Sequence, residues 1–266
     1  MKKICLLLLS IYILCTVSGQ QKEIRTVSDF TGIEASGAFD ISITKGNRTT
    51  LSIEADEKIM PYIVSEVRGN VLHLYIADND IKNIKAPRAY IVMKNLDAVN
   101  LSGACKISSN DRFAPDRFNA DLSGASGLNL QINTKQLEIN ASGASNINLN
   151  TKASEQANID ISGASKLKIQ LNTPKSTFHI SGASNTELTG SADNVEIDIS
   201  GTSNVDAPDF MVKSMVVEAS GVSKATIYSS NSLKVNSSGF SKINYKGSPS
   251  ITEFNTGNSS KIKKIN

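Results

Sequence analysis

From Ala98 onward, apolar and polar residues alternate in runs of about a dozen positions. Ile159, Ile161, Gly163, Ser165, Leu167 and Ile169 share one parity, and Asp160, Ser162, Ala164, Lys166 and Lys168 share the other. The same order returns in Leu137, Ile139, Ala141, Gly143, Ser145, Ile147 and Leu149, and in Val195, Ile197, Ile199, Gly201, Ser203 and Val205. Period-two alternation is the mark of a strand with one face buried. Each run dips to small residues at its centre, where glycine permits a bend. The unit therefore reads as strand, bend, strand, then a polar turn such as Asn150-Thr151-Lys152 or Thr189-Gly190-Ser191-Ala192-Asp193. The glycine shares the apolar parity, so it is expected to face inward.

The small-residue dip is a tetrapeptide that recurs eight times. Its glycines are Gly103, Gly124, Gly143, Gly163, Gly182, Gly201, Gly221 and Gly239, each preceded by Ser and followed two residues later by Ser or, once, Cys105. A frayed copy, Thr256-Gly257-Asn258-Ser259, closes the series. Successive glycines lie 21, 19, 20, 19, 19, 20, 18 and 18 residues apart. A period near 20 residues means stacked supersecondary units. Leucine-rich repeats share the period, but their leucine-asparagine ladder is absent. The predicted fold is an all-β, right-handed parallel β-helix, a solenoid of about nine or ten rungs, its hand following the usual sense of parallel crossovers.

Ahead of the repeats, residues 20–30 read as a polar lead-in. Residues 30–43 form a divergent repeat around Ser36-Gly37-Ala38, with Phe39 in the second serine position. Thr50–Ala55, Val71–Ile76 and Arg88–Met93 alternate as strands, while Glu57–Val67, with Pro61 inside, fits one helical turn or an irregular connection. Residues 20–97 are thus expected to form an N-terminal part continuous with the solenoid and capping its first rung, and residues 98–266 the regular solenoid. At the other end, Lys261, Lys263 and Lys264 place charge on the terminal rung, where it opposes edge-to-edge stacking.

Residues 1–19 change the picture from fold to address. A basic start, an apolar run over Ile4–Leu14 and the small residues Val17, Ser18 and Gly19 describe a secretory signal peptide cleaved before Gln20. Lipidation at Cys15 is the weaker alternative, because no small residue stands just before that cysteine. The mature chain would then be exported to the periplasm, the cell surface or the medium, with no transmembrane segment. It would keep Cys105 alone of its three cysteines, and so no internal disulfide. In a serine stack Cys105 is a small buried residue rather than a nucleophile. The whole chain carries 28 basic and 25 acidic residues, too even a balance for a nucleic-acid partner. Tryptophan is absent, so the aromatic platforms common in sugar sites are scarce.

The block Phe30-Thr31-Gly32-Ile33-Glu34-Ala35-Ser36-Gly37-Ala38-Phe39-Asp40-Ile41, followed by the Ser-Gly-Ala-Ser series, resembles the auto-transporter adhesins with a head GIN domain, secreted or envelope proteins common in Bacteroidetes-type bacteria. The resemblance spans nearly all of the mature chain. It implies a β-helical fold and a cell-surface, adhesin-like role, a role that itself rests mainly on architecture.

The outward parity supplies the candidate chemistry. Three residues before each glycine stand Asn100, Asp121, Asn140, Asp160, His179, Asp198, Glu218 and Asn236. Three after it stand Lys106, Gly127, Asn146, Lys166, Asn185, Asn204, Lys224 and Lys242. With the first serines between them, these columns form a polar strip. The hypothetical contact set is Asp121, Asp160, Asp198, Ser162, Ser200, Lys166 and Lys224, offered to an extracellular or envelope glycan or protein. Solubility alone also accounts for such a strip, since alternating acids and amides avoid stacked like charge. No catalytic residues, metal ligands or cofactors are expected. A polysaccharide-acting β-helix needs converging carboxylates, whereas here the acids are spread along the axis, His73 and His179 stand alone, and His179 interrupts Asp160 and Asp198 as a calcium pair. A structural envelope protein without a ligand is the remaining alternative.

Overall fold

The computed structural model describes residues 19–77, 85–257 and 259–266. The expected signal peptide lies outside the described residues except for Gly19, as does Asn258 of the frayed copy. The fold is an almost purely β solenoid of about nine turns with rungs of about 19 residues.

Strands β1 (Gln20–Arg25), β2 (Gly32–Ala35), β3 (Asp40–Lys45), β4 (Thr50–Asp56), β5 (Ile63–Arg68), β6 (Val71–Ile76) and β7 (Arg88–Met93) precede the regular repeats. The divergent repeat is a true rung: β2 and β3 flank Ser36–Phe39. They pair in parallel with β8 (Ala98–Leu101) and β9 (Lys106–Phe113) of the next rung. On their other side β2 pairs with β6, and β3 with β7. Antiparallel strands then finish this end of the stack, β5 against β6 and, on the other side, β4 then β1 beyond β7. Two expectations are corrected here. The lead-in is an edge strand over residues 20–25, because its backbone completes the ladder of β4 despite a polar sequence. Residues 57–67 do hold one helical turn, a 3₁₀ turn at Met60–Tyr62 that follows a tight turn over residues 57–59, but Ile63–Val67 belong to β5.

The repeats continue as β10 (Arg117–Leu122), β11 (Gly127–Ala141), β12 (Asn146–Ile161), β13 (Lys166–Ile180), β14 (Asn185–Ile199), β15 (Asn204–Ala219) and β16 (Lys224–Ser237). Shorter strands β17 (Lys242–Lys246), β18 (Ser250–Thr256) and β19 (Lys261–Lys264) finish the stack. From β10 onward every pairing is parallel. Alternate side chains bury against the opposite wall, so one continuous core runs from Phe30 to Ile243. The stretches expected as polar turns remain in the ladder: Asn150↔Gln170 and Thr151↔Leu171 pair, and Thr151 is buried. Threonine suits an inward strand position, and composition alone mistook it for a turn residue.

The Ser-Gly-x-Ser tetrapeptide is a corner of each rung. Its glycine is exposed, contrary to the inward placement expected from parity. The reason is conformational: Gly163 has φ +75°, which turns the chain outward between the inward residues Ile161 and Ser165. A side chain there is excluded by the neighbouring backbone, because a Cβ on Gly163 would press onto the carbonyl oxygen of Gly143 and come 2.9 Å from its nitrogen. That close approach lets the Ala164 N–H donate to the Gly143 carbonyl at 2.7 Å. The second serine is buried and closes the corner, the Ser165 hydroxyl donating to the Ser162 carbonyl at 2.9 Å. Ser126, Ser145, Ser184 and Ser241 repeat that bond. Phe39 and Cys105 fill the same buried place in the first two rungs. At the frayed copy the register shows that Ser260, rather than Ser259, takes this place: Lys261 pairs with Lys242, and the Ser260 hydroxyl donates to the Gly257 carbonyl at 3.0 Å.

Candidate functional site

The outward columns are real ladders. Before the corner, Asn100, Asp121, Asn140, Asp160, His179, Asp198, Glu218, Asn236 and Asn255 are successive register partners. After it run Lys106, Gly127, Asn146, Lys166, Asn185, Asn204, Lys224, Lys242 and Lys261. Asp121, Asp160, Asp198, Lys166 and Lys224 are all exposed. The three aspartates therefore share one column and the two lysines another, with the glycine corner between them.

Ser162 and Ser200 sit at the corner itself and are half-buried. The Ser162 hydroxyl leans on the preceding rung, donating to the Ala141 carbonyl at 3.3 Å, so part of its hydrogen-bonding capacity is spent inside the fold. Along the acid/amide column, the Asn140 amide donates to Asp121 at 2.9 Å, and His179 Nδ1 stands 4.0 Å from Asp198. Two shallow grooves follow this column. One of about 270 Å³ is lined by Asp121, Asp160, Ser162, Asn100 and Asn140. The other, about 720 Å³ and nearer the C-terminal end, is lined by Asp198, Glu218, Ser220, Asn236 and Asn255. Lys166 and Lys224 border neither groove.

Sequence reading named the amide columns but missed the hydrogen bonds that join neighbouring amides and the further ladder at Asn129 and Asn148. Asn148 donates to Asn129 at 2.9 Å, Asn204 to Asn185 at 2.9 Å and Asn255 to Asn236 at 3.1 Å. It also missed Arg112, whose guanidinium reaches Asn133, Gln131 and Asn150 on two neighbouring rungs. Identical amides 19 residues apart were a visible signal for the ladders; nothing in the sequence announced Arg112. Cys105 is fully buried, and burial pushes its thiol above the usual range, with a hydrogen bond involving the Phe39 backbone pulling the other way. Among the described residues, no group of three His, Cys, Asp or Glu side chains converges as a metal site would require.

The family described as "Putative auto-transporter adhesin, head GIN domain" matches residues 29–170 and 150–249. The chain belongs to this family. No curated protein matches it by sequence. Among solved structures, a putative adhesin from Parabacteroides distasonis is similar with a TM-score of 0.68 and 19% identity, covering 92% of this chain and 97% of its own. A putative adhesin from Parabacteroides merdae has a TM-score of 0.64 and 20% identity, covering 94% and 98%. A structure described as a putative lipid binding protein from Parabacteroides distasonis has a TM-score of 0.64 and 19% identity over the same shares. At these identities the likeness extends to the fold. The head GIN family thus includes a solenoid whose outer residues line up in polar columns. Among the described residues no helix is long and apolar enough to cross a membrane.

Proposed function

We propose that this head GIN protein is an exported, non-catalytic recognition module that binds an extended glycan or protein along its polar columns. The contact set is Asp121, Asp160, Asp198, Ser162, Ser200, Lys166 and Lys224. The observation that carries this reading is the register: Asn140, Asp160, His179, Asp198 and Glu218 are consecutive partners at the strand spacing of about 4.8 Å. A linear partner can make the same weak contact at each rung, and those contacts add. The acids arrive one per rung, which does not suit a hydrolase or lyase needing two carboxylates in one cleft. The grooves along the aspartates support that column as the centre of contact, with the lysines reached only around the corner.

Export rests on the leader over residues 1–19 and on the adhesin family. N-terminal sequencing of secreted chain should begin at Gln20; a start at a lipidated Cys15 would overturn that cleavage site. Residues 20–97 serve in this reading as a cap, and residues 98–266 as the binding surface.

The test is a glycan array and an envelope pull-down with the processed chain, followed by a fourfold variant in which Asp160, Asp198, Lys166 and Lys224 become Ala. Loss of binding with an unchanged melting point supports the reading. Unchanged binding by the variant assigns contact elsewhere and sinks it, and silence on both assays favours a structural envelope role.

A further inference from the structure

The corner ridge changes character toward its C-terminal end. The residue after the glycine is Ala104, Ala125, Ala144, Ala164 and Ala183 in the first five regular rungs, then Thr202, Val222 and Phe240. These positions point to solvent, and Val222 and Phe240 remain 57% and 70% exposed. They are on neighbouring rungs, because the Phe240 N–H donates to the Gly221 carbonyl at 2.8 Å. Ile251 and Phe254 nearby are also exposed, but they pair with Leu233 and Val235 and continue core columns onto the last described rung. The end of the stack does not explain Phe240 in that way. It occupies a site that faces water in each regular copy from Ala104 onward.

The charge beside the ridge changes at the same rungs. Earlier in the post-corner column lysines are separated by Gly127 and Asn146, or by Asn185 and Asn204. At the end Lys224, Lys242 and Lys261 are direct register partners, with Lys263 opposite Asn244. Directly opposed like charges destabilise a ladder. Among the described residues, none of these four lysines has a carboxylate within 4.0 Å, whereas Lys213 pairs with Asp193 at 2.7 Å and Lys234 with Glu253 at 2.8 Å. Protection of the terminal edge accounts for lysines there, but an exposed aromatic works against that purpose.

We infer that this end of the solenoid docks onto an anionic lipid surface, with Phe240 and Val222 entering the headgroup boundary and Lys242, Lys261 and Lys263 lying against lipid phosphates. A projecting apolar ridge flanked by a basic column is the combination that holds peripheral proteins at such interfaces. The ridge offers two side chains, far less than the roughly 800 Å² per partner of a stable protein interface. This surface is separate from the aspartate column and does not depend on the recognition reading above.

The test is cosedimentation of the chain as recovered after export with vesicles of phosphatidylcholine alone or of phosphatidylcholine mixed with anionic phosphatidylglycerol. Two variants leave every residue of the proposed strip unchanged: Phe240→Ser, and the triple Lys242→Gln, Lys261→Gln, Lys263→Gln. All positions are exposed, so neither variant should lower the melting point, and the triple variant, which relieves the opposed lysines, should raise it slightly. The parent should bind only the anionic vesicles and be released by salt. Partition should fall about tenfold for Phe240→Ser and about a hundredfold for the triple variant. Equal binding to neutral vesicles, no binding to anionic ones, or undiminished binding by either variant overturns the inference. So does competition by soluble polyphosphate together with an unaffected Phe240→Ser variant, which would assign the lysines to a dissolved polyanion.

Discussion

The two ends of each rung turn the chain by different means. At the glycine corner the geometry is the same from Gly103 to Gly239: φ between +66° and +76°, and an N–H donated to the preceding glycine carbonyl. At the opposite corner the inward position is held by Thr134, Ala153, Thr173, Ala192, Val212 or Ser229, with no shared bonding scheme. Thr134 and Thr173 donate to the carbonyls of Gln136 and Lys175, both at 3.0 Å, while the alanines and the valine cannot.

Register shifts reveal what the difference does. The rungs from Gly163 to Gly182 and from Gly182 to Gly201 both span 19 residues, and their strands β13 and β14 pair without a shift. Where lengths differ, the shift falls away from the glycine corner: between Thr134 and Gln136, Lys152 and Ala157, or Ala207 and Val212. One corner fixes the register and the other absorbs length. The outward columns stay aligned for that reason, and a surface built on repetition depends on it.

The largest effect should come from the register corner. Gly163→Ala is expected to cost about 3 kcal/mol, combining an unfavourable left-handed alanine with displacement of the Gly143 backbone, and Gly163→Val more. Chemical denaturation reads this directly. Next is Ser165→Ala, which removes the buried donor to the Ser162 carbonyl and should cost about 1–2 kcal/mol. Ser162→Ala, which loses a longer bond at a half-buried site, should cost no more than about 0.5 kcal/mol. A single glycine inserted between Ser154 and Glu155, in the stretch already skipped by the pairing with β13, should cost a similar amount. A cost for that insertion equal to Gly163→Ala would erase the distinction between the corners. The smallest effect is chemical: Cys105 should resist maleimide at pH 7 until the chain unfolds, because burial removes both access and thiolate.

Much of this was legible in sequence for a physical reason. Repetition multiplies a weak signal, so the alternation around Ile159–Ile169 announced strands and the 18–21-residue spacing announced stacking. Parity misled where backbone conformation overrode it: Gly163 has the inward parity but turns outward at positive φ. Polarity misled at Thr151, which is buried within a strand. The cap was harder, because β4 and β1 pair antiparallel through contacts far apart in the chain and β1 has almost no apolar pattern. At the candidate site, the columns followed from spacing once the strands were known. The bend between Asp160 and Lys166 was announced by its glycine, but not how far it turns the two columns apart, since that angle depends on the Ser165–Ser162 bond and the stacked glycine backbones.

Native-state hydrogen exchange tests the claim of two unlike corners most directly. The amides of Ala125, Ala144, Ala164 and Ala183, each donating to the preceding glycine carbonyl at 2.7 Å, should exchange only with global unfolding. Those of Ser154 and Glu155, which lack register partners, should exchange orders of magnitude faster through local opening. Equal protection at both corners, or faster exchange at the alanines, would contradict the assignment of register to the glycine stack.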